Sequence, residues 1–148
     1  MRSEKGFTLI ELLIVVAIIG IIAAIAIPNL MNAVDKGKQT KTMADMKAIA
    51  GAIEVYAVDN NTYPRVSNFS SLAPLIQPIY IRVAPTGDGW NHGWSFAGDT
   101  TGGLDYTLAS LGKDGIASVV TGGQTHDFDC DIVYANGSFF QWPAGTQT

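Results

Sequence analysis

The sequence predicts an α+β protein: a long N-terminal helix packed on a small antiparallel β-sheet domain with long loops. Three observations carry this. Between Phe7 and Pro28 only Thr8, Glu11 and Gly20 interrupt an apolar run. From Met46 to Ala57 apolar residues recur at three-and-four spacing, which marks one helical face. Beyond Thr62 the runs Ile132-Val133-Tyr134 and Phe139-Phe140 flank Asn136-Gly137, a strong two-residue hairpin signal.

The first element is the apolar run. A helix needs about 20 such residues to cross the hydrocarbon core, so residues 7–28 read as the transmembrane half of the helix. Residues 29–61 continue it outside the membrane. There Met46, Ile49, Ala50, Ile53, Tyr56 and Ala57 form a packing stripe, with Asp45, Lys47, Glu54 and Asp59 off it. The polar Asp35-Lys36-Gly37-Lys38 stretch reads as exposed, and Asn60, Asn61 and Pro64 stop the helix. Residues 62–148 form the β-domain, with a short helix over 70–76 and strands over 104–110 and 131–142.

Composition agrees with one anchor and one domain. The 148 residues suffice for a single ordinary domain. Hydrophobic residues make up 47% and charged residues 15%, and the apolar excess lies in the anchor. Net charge is −4; Arg2, Glu4 and Lys5 sum to +1, which leaves −5 for the remainder. That balance argues against nucleic acid or anionic lipid as the globular partner. After Ala84, Lys113 is the one cation against Asp88, Asp99, Asp105, Asp114, Asp127, Asp129 and Asp131, so these acids need wide separation or a bound cation. A single cysteine, Cys130, excludes an intrachain disulfide.

The N-terminus departs from an ordinary secretory signal. Its basic start is present, but the apolar run is too long and no small-residue cleavage site follows it. The basic start predicts a cytoplasmic N-terminus and an outward C-terminal domain. Gly6-Phe7-Thr8-Leu9-Ile10-Glu11, the apolar run and Pro28 together resemble the type IV pilins and the pseudopilins of type II secretion. The resemblance implies a pilin fold. It also implies that prepilin peptidase cuts between Gly6 and Phe7, removes residues 1–6 as a leader, and N-methylates Phe7.

A carboxylate within a spanning helix costs roughly 2.5–3.5 kcal/mol on insertion scales, so Glu11 needs a role. It lies four residues, about 6 Å, from the processed end. One reading is snorkelling to the interface. The other, implied by the family, is pairing with the free N-terminal amine of a neighbouring subunit. A lone desolvated charge is unfavourable, so only a docked neighbour completes the pair. Pro28 removes a helical hydrogen bond; it marks either a simple kink or, with Gly20, a segment that loses helicity during assembly.

Asp88-Gly89-Trp90-Asn91, the run Ser110-Leu111-Gly112-Lys113-Asp114-Gly115 and the later Asp129-Cys130-Asp131-Ile132 resemble the major pseudopilin. That family binds calcium in the loop between the last two pieces. The resemblance implies ligands from Leu111 (backbone carbonyl), Asp114 and the acids Asp127, Asp129 and Asp131. Calcium takes six to eight oxygens in flexible geometry. The loop is no EF-hand, and residues 116–124 read as an insertion in it.

Other arrangements carry little. His92, His126 and Cys130 are too few for a tetrahedral zinc site, Ser110 lacks the surroundings of an activated nucleophile, and Cys130 reads as a buried apolar residue. The glycosylation-type triplets at Asn60, Asn68 and Asn136 are short enough to arise by chance. No enzymatic activity is expected. The resemblance implies a structural subunit that polymerises with itself as major pseudopilin of a type II secretion-like machine. It would reside in the inner membrane before assembly and work with minor pseudopilins and an inner-membrane assembly platform. The alternatives are a type IV pilin for adhesion, motility or DNA uptake, which its single cysteine disfavours, and a membrane-anchored calcium-binding module that never polymerises.

Overall fold

The apolar run and the periodic segment form one helix, α1, Leu9–Asn60. The computed structural model describes residues 6–145, so Arg2, Glu4 and Lys5 of the expected leader lie outside the described residues. The chain divides into two units, 1–34 and 35–148. The second unit begins at Asp35. The cause is that Leu30, Met31 and Val34 remain exposed like the rest of the apolar run, and Asp35 is the first buried side chain.

In the first unit the side chains from Leu9 to Val34 are almost all exposed, and its best 18-residue window has a mean hydropathy of 3.1. Exposed apolar surface on this scale marks a lipid or protein partner. The helix runs without a break through Gly20 and Pro28. Pro28 supplies no backbone donor to the carbonyl of Ala24, one turn back.

In the second unit the buried side chains of α1 step by four and three: Asp35, Gln39, Thr42, Met46, Ile49 and Ile53. The apolar half of this stripe meets Leu72 and Ile76 of α2 (Phe69–Ile76) and Trp94, Phe96, Tyr106, Leu108 and Ile132 from the sheet side. Tyr56 and Ala57, expected on the stripe, are half-buried, and Ala52 is buried in their stead. Asn61, at φ 57°, takes the left-handed conformation that ends helices. The N-cap of α2 is Asn68, whose Oδ1 accepts from Ser71 N at 2.8 Å.

The sheet has five strands: β1 (Ser95–Gly98), β2 (Tyr106–Ser110), β3 (Gly123–Thr125), β4 (Ile132–Ala135) and β5 (Ser138–Pro143), in the order β1-β2-β4-β5-β3. The hairpin sits where predicted, with Asn136 at φ 47° and Gly137 at φ 89°, the two positive values that a tight primed turn needs. One expectation is corrected: the sheet is mixed, not purely antiparallel. β3 runs parallel to β5, pairing Gly123 with Gln141 and Thr125 with Pro143. A parallel neighbour needs a crossover between the two strands, and here residues 126–131, β4 and the hairpin provide it. Gly123-Gln124-Thr125 is too short to show alternation.

Glu54, expected off the packing face, accepts from the Tyr106 hydroxyl at 2.9 Å and the Tyr63 hydroxyl at 3.1 Å. Burial, then the Glu54 carboxylate, push the Tyr106 pKa far up, so the phenol stays a donor at any physiological pH.

Replacing Ile53 by Ala should destabilise the chain by about 2–5 kcal/mol, as large-to-small core changes do. The exposed Val58→Ala change should stay within about 0.5 kcal/mol. Guanidinium unfolding of the detergent-solubilised chain, followed by tryptophan fluorescence, measures both.

Candidate functional site

At the N-terminal end, the residues of the expected processing and assembly site are highly exposed, Phe7 at 83%. Here the structure adds a contact that the sequence reading missed. Thr8 precedes the first turn of α1, and its Oγ1 accepts from Glu11 N at 3.3 Å. In return Glu11 Oε2 accepts from Thr8 N at 2.9 Å and from Thr8 Oγ1 at 2.7 Å. This is a capping box, in which a Thr and a Glu three residues on satisfy each other's orphan amides. Its signal, Thr-x-x-Glu before an apolar run, stands in the sequence. Glu11 thus has a partner within its own chain, besides the expected partner in a neighbour.

The polar start of the packing stripe forms the second feature. Asp35 was expected to be exposed and is 6% exposed. Its Oδ2 accepts from Lys113 Nζ at 2.9 Å and its Oδ1 from Trp90 Nε1 at 3.2 Å. Burial raises its pKa, but these two hydrogen bonds and the Lys113 charge outweigh burial and hold the carboxyl below its usual range. A turn from residues 88–92 lies next to it. Asp88, fully buried, accepts through Oδ1 from the amides of Trp90 and His92, both at 2.9 Å, and through Oδ2 from Ser110 Oγ at 2.6 Å. Gly89 N donates to Thr42 Oγ1 at 2.9 Å. A Cβ at Gly89 would collide with the Lys38 carbonyl, so this contact with α1 requires glycine. Ser110 is therefore a buried donor to Asp88, and His92 Nδ1 lies 3.0 Å from the Gly112 carbonyl.

The two acidic segments do come together. Lys113 N donates to the Phe128 carbonyl at 2.9 Å. Gly112, at φ +68°, lies so close to the Asp129 and Cys130 carbonyls that a Cβ would clash with them. Leu111 is half-buried at the head of this loop, and Asp114 Oδ1 accepts from Ile116 N at 2.9 Å. Asp131 is 3% exposed, and its Oδ1 is buried with no hydrogen-bond partner. Its Oδ2 accepts from Ser118 N at 3.1 Å, while Asp131 N donates to Ser118 Oγ at 3.2 Å. Burial raises the Asp131 pKa; the Ser118 bonds offset part of this, and the nearby Asp114 charge adds to it.

The expected convergence of Asp127, Asp129 and Asp131 does not occur. Asp127 and Asp129 are exposed, with Asp127 Oδ1 capping Asp129 N at 3.1 Å. Among the described residues no three acidic, histidine or cysteine side chains gather into a metal-sized group. The physical reason is the tight turn at 127–130, closed by Cys130 N to the Asp127 carbonyl, which turns both acids outward from Asp131. Cys130, expected to be buried, is half-exposed.

A family model described as the prokaryotic N-terminal methylation motif matches residues 1–27. A second, described as type II secretion system protein G, matches residues 29–132. The chain belongs to the type II secretion system protein G family. A relative named type II secretion system core protein G in Pseudomonas aeruginosa is 36% identical over 141 residues, 86% of this chain and 94% of that protein. Its namesake in Klebsiella michiganensis is 35% identical over 136 residues, 83% of this chain and 85% of that protein. That in Escherichia coli K12 is 33% identical over 124 residues, 76% and 84% of the two chains.

In this protein G chain, the orphaned Asp131 Oδ1 is the observation that fits a cation. A buried carboxylate oxygen without a donor is costly unless something positive compensates it. The Asp114 charge acts on it, so Asp131 and Asp114 are the acids here that would hold a cation. Calcium would complete its shell with carbonyls and water.

Asp35→Asn removes an ionised partner of Lys113. Because Lys113 is 44% exposed, the loss should be modest, about 1–2 kcal/mol. The sign follows from the lowered Asp35 pKa: its stabilisation is full above the unfolded value, about 3.9, and is lost as pH falls through the lower folded value. Acid titration of the unfolding free energy should therefore show a steeper fall below about pH 4 in the parent than in Asp35→Asn.

Proposed function

We propose that this chain is the filament-forming major pseudopilin of a type II secretion machine. The observation that carries the reading is the methylation motif at residues 1–27 placed directly before the protein G match at 29–132, on a helix whose apolar half is exposed. That exposed helix is suited to the inner membrane first and to a bundle of like helices later, since either environment removes the apolar surface from water. Prepilin peptidase would cut between Gly6 and Phe7 and methylate Phe7, leaving the β-domain on the periplasmic side. The monomer would then join copies of itself on an inner-membrane platform, with minor pseudopilins at the start of the filament. The relatives are named for type II secretion, which favours this over a surface pilus.

Glu11 acts in this reading at the moment of docking. Before assembly its carboxylate is held by Thr8 of its own chain; on docking, a neighbour's N-terminal amine supplies a full positive charge, a stronger partner for a desolvated carboxylate than neutral donors. Two substitutions separate this pairing from simple capping. Glutamine serves in a capping box as glutamate does, so Glu11→Gln should keep the helix end and yet assemble poorly. Glu11→Ala should be processed and membrane-bound but form few filaments, counted by electron microscopy; wild-type filament numbers in Glu11→Gln would sink the pairing. The genomic surroundings test the wider reading: a secretin and a secretion ATPase nearby fit it, and a retraction ATPase points to a surface pilus.

Calcium at Asp131 and Asp114 is part of the proposal. When bound it would neutralise two neighbouring acids and fix the loop against residues 128–131. Saturating calcium at 100 times its Kd adds about 2.7 kcal/mol, read as a higher melting temperature that a chelator reverses. Asp131→Asn should abolish the calcium response. Without calcium it should melt no lower than the parent, because its buried charge is gone. A parent melt indifferent to calcium removes the site.

A further inference from the structure

The segment 116–124, expected from the sequence to be an insertion, is tied down by buried polar groups yet holds aliphatic side chains in solvent. Gln141, fully buried, donates through Nε2 to the Asp131 carbonyl at 2.8 Å. Its Oε1 accepts from the amides of Thr121 and Gly122 at 3.1 and 3.2 Å. Ser118 is tied to Asp131 at both its amide and its hydroxyl. The loop so pinned exposes Ile116 by 66% and Val119 by 84%. Scattered apolar residues on a surface are ordinary, but grouped ones on an ordered element mark an interface.

A second such patch lies at the other edge of the sheet. The insertion leads into β3, the last strand on one side, whereas α2 packs against β1, the last strand on the other. Just past α2, in a turn held by Tyr80 N and Ile81 N on the Ile76 carbonyl, Ile79 is 79% and Val83 69% exposed. The two patches also differ in charge. Arg82, exposed between Ile79 and Val83, makes no ion pair among the described residues. The segment is followed in the chain by the exposed acids Asp127 and Asp129, which make no close ion pair among the described residues, although their charge acts on Lys113.

We propose that these two edges meet between successive copies of the chain: the insertion tip of one copy, through Val119, seats on the Ile79–Val83 patch of the next, with Arg82 facing Asp127 and Asp129. Because the two patches differ, the contact is heterologous and propagates as an open helical chain instead of closing on a two-fold dimer. This rests on the filament-forming reading above.

The test is cysteine cross-linking in cells that express the full chain with its secretion machinery, in a Cys130→Ser background. Ile79→Cys with Val119→Cys in one chain should give a ladder of disulfide-linked multimers on oxidation. The cross-linked fraction should exceed that of either single variant by about tenfold or more, as the millimolar effective concentration at a docked contact implies. Arg82→Glu should lower filament number, and adding Asp127→Arg with Asp129→Arg should restore it. Filaments from the double-cysteine chain without a 79–119 cross-link overturn the inference and leave the filament reading standing. Dimers from either single variant overturn it too, since they report a two-fold contact. If the unsubstituted chain forms no filaments, the filament reading fails and the inference with it. All five positions are exposed, and an unchanged melting temperature verifies that each variant folds.

Discussion

The stripe Asp35, Gln39, Thr42, Met46, Ile49, Ile53 along α1 is the constraint on which the second unit is built. Its steps of four and three keep every member on one face, and the face changes character along its length. From Met46 onward it is apolar and closes the core against α2 and the sheet. Toward Asp35 it is polar, and burial there is possible only because each group finds a donor or acceptor elsewhere in the unit. Thr42 receives Gly89, while Asp35 receives Trp90 and Lys113. The irregular segments around residues 88–92 and 110–115 are thereby fixed on α1 without a sheet of their own, and those segments position Asp131 and its neighbours.

The first unit obeys a different rule. Its helix has no packing face among the described residues, so nothing within the chain removes its apolar surface from water. In the proposed reading that cover comes from outside, first from lipid and then from identical helices. In the assembly proposed above, Glu11 would have an intermolecular use besides its local one at Thr8. The capping box satisfies amides that lipid cannot, and in the proposed assembly the carboxylate would pass to a stronger partner.

The acidic loop shows how topology overrides spacing. Alternate aspartates at 127, 129 and 131 suggest a common site, but the turn at 127–130 separates them and only Asp131 points inward. Its second oxygen is left unmatched because Ser118, brought in by the 116–124 segment, satisfies just one. The 116–124 segment therefore both helps define the candidate cation site and leads into an additional edge strand of the sheet, β3.

Much of this was legible in the residues. The long apolar helix, its packing stripe, the Asn136-Gly137 hairpin and the Gly6–Glu11 motif follow from periodicity, turn chemistry and local spacing, which act over a few residues and so are written in them. Even the Thr8–Glu11 box and the polar extension of the stripe to Asp35 were there to be read by the same rules. The parallel pairing of β3, the burial of Asp35 under Lys113 and Trp90, the use of Glu54 by two tyrosines and the orphaned oxygen of Asp131 were not. Each depends on groups 9 to 78 positions apart, or on which strand edge stays free. Contacts of that range are fixed by how the whole unit closes its core, not by any segment alone.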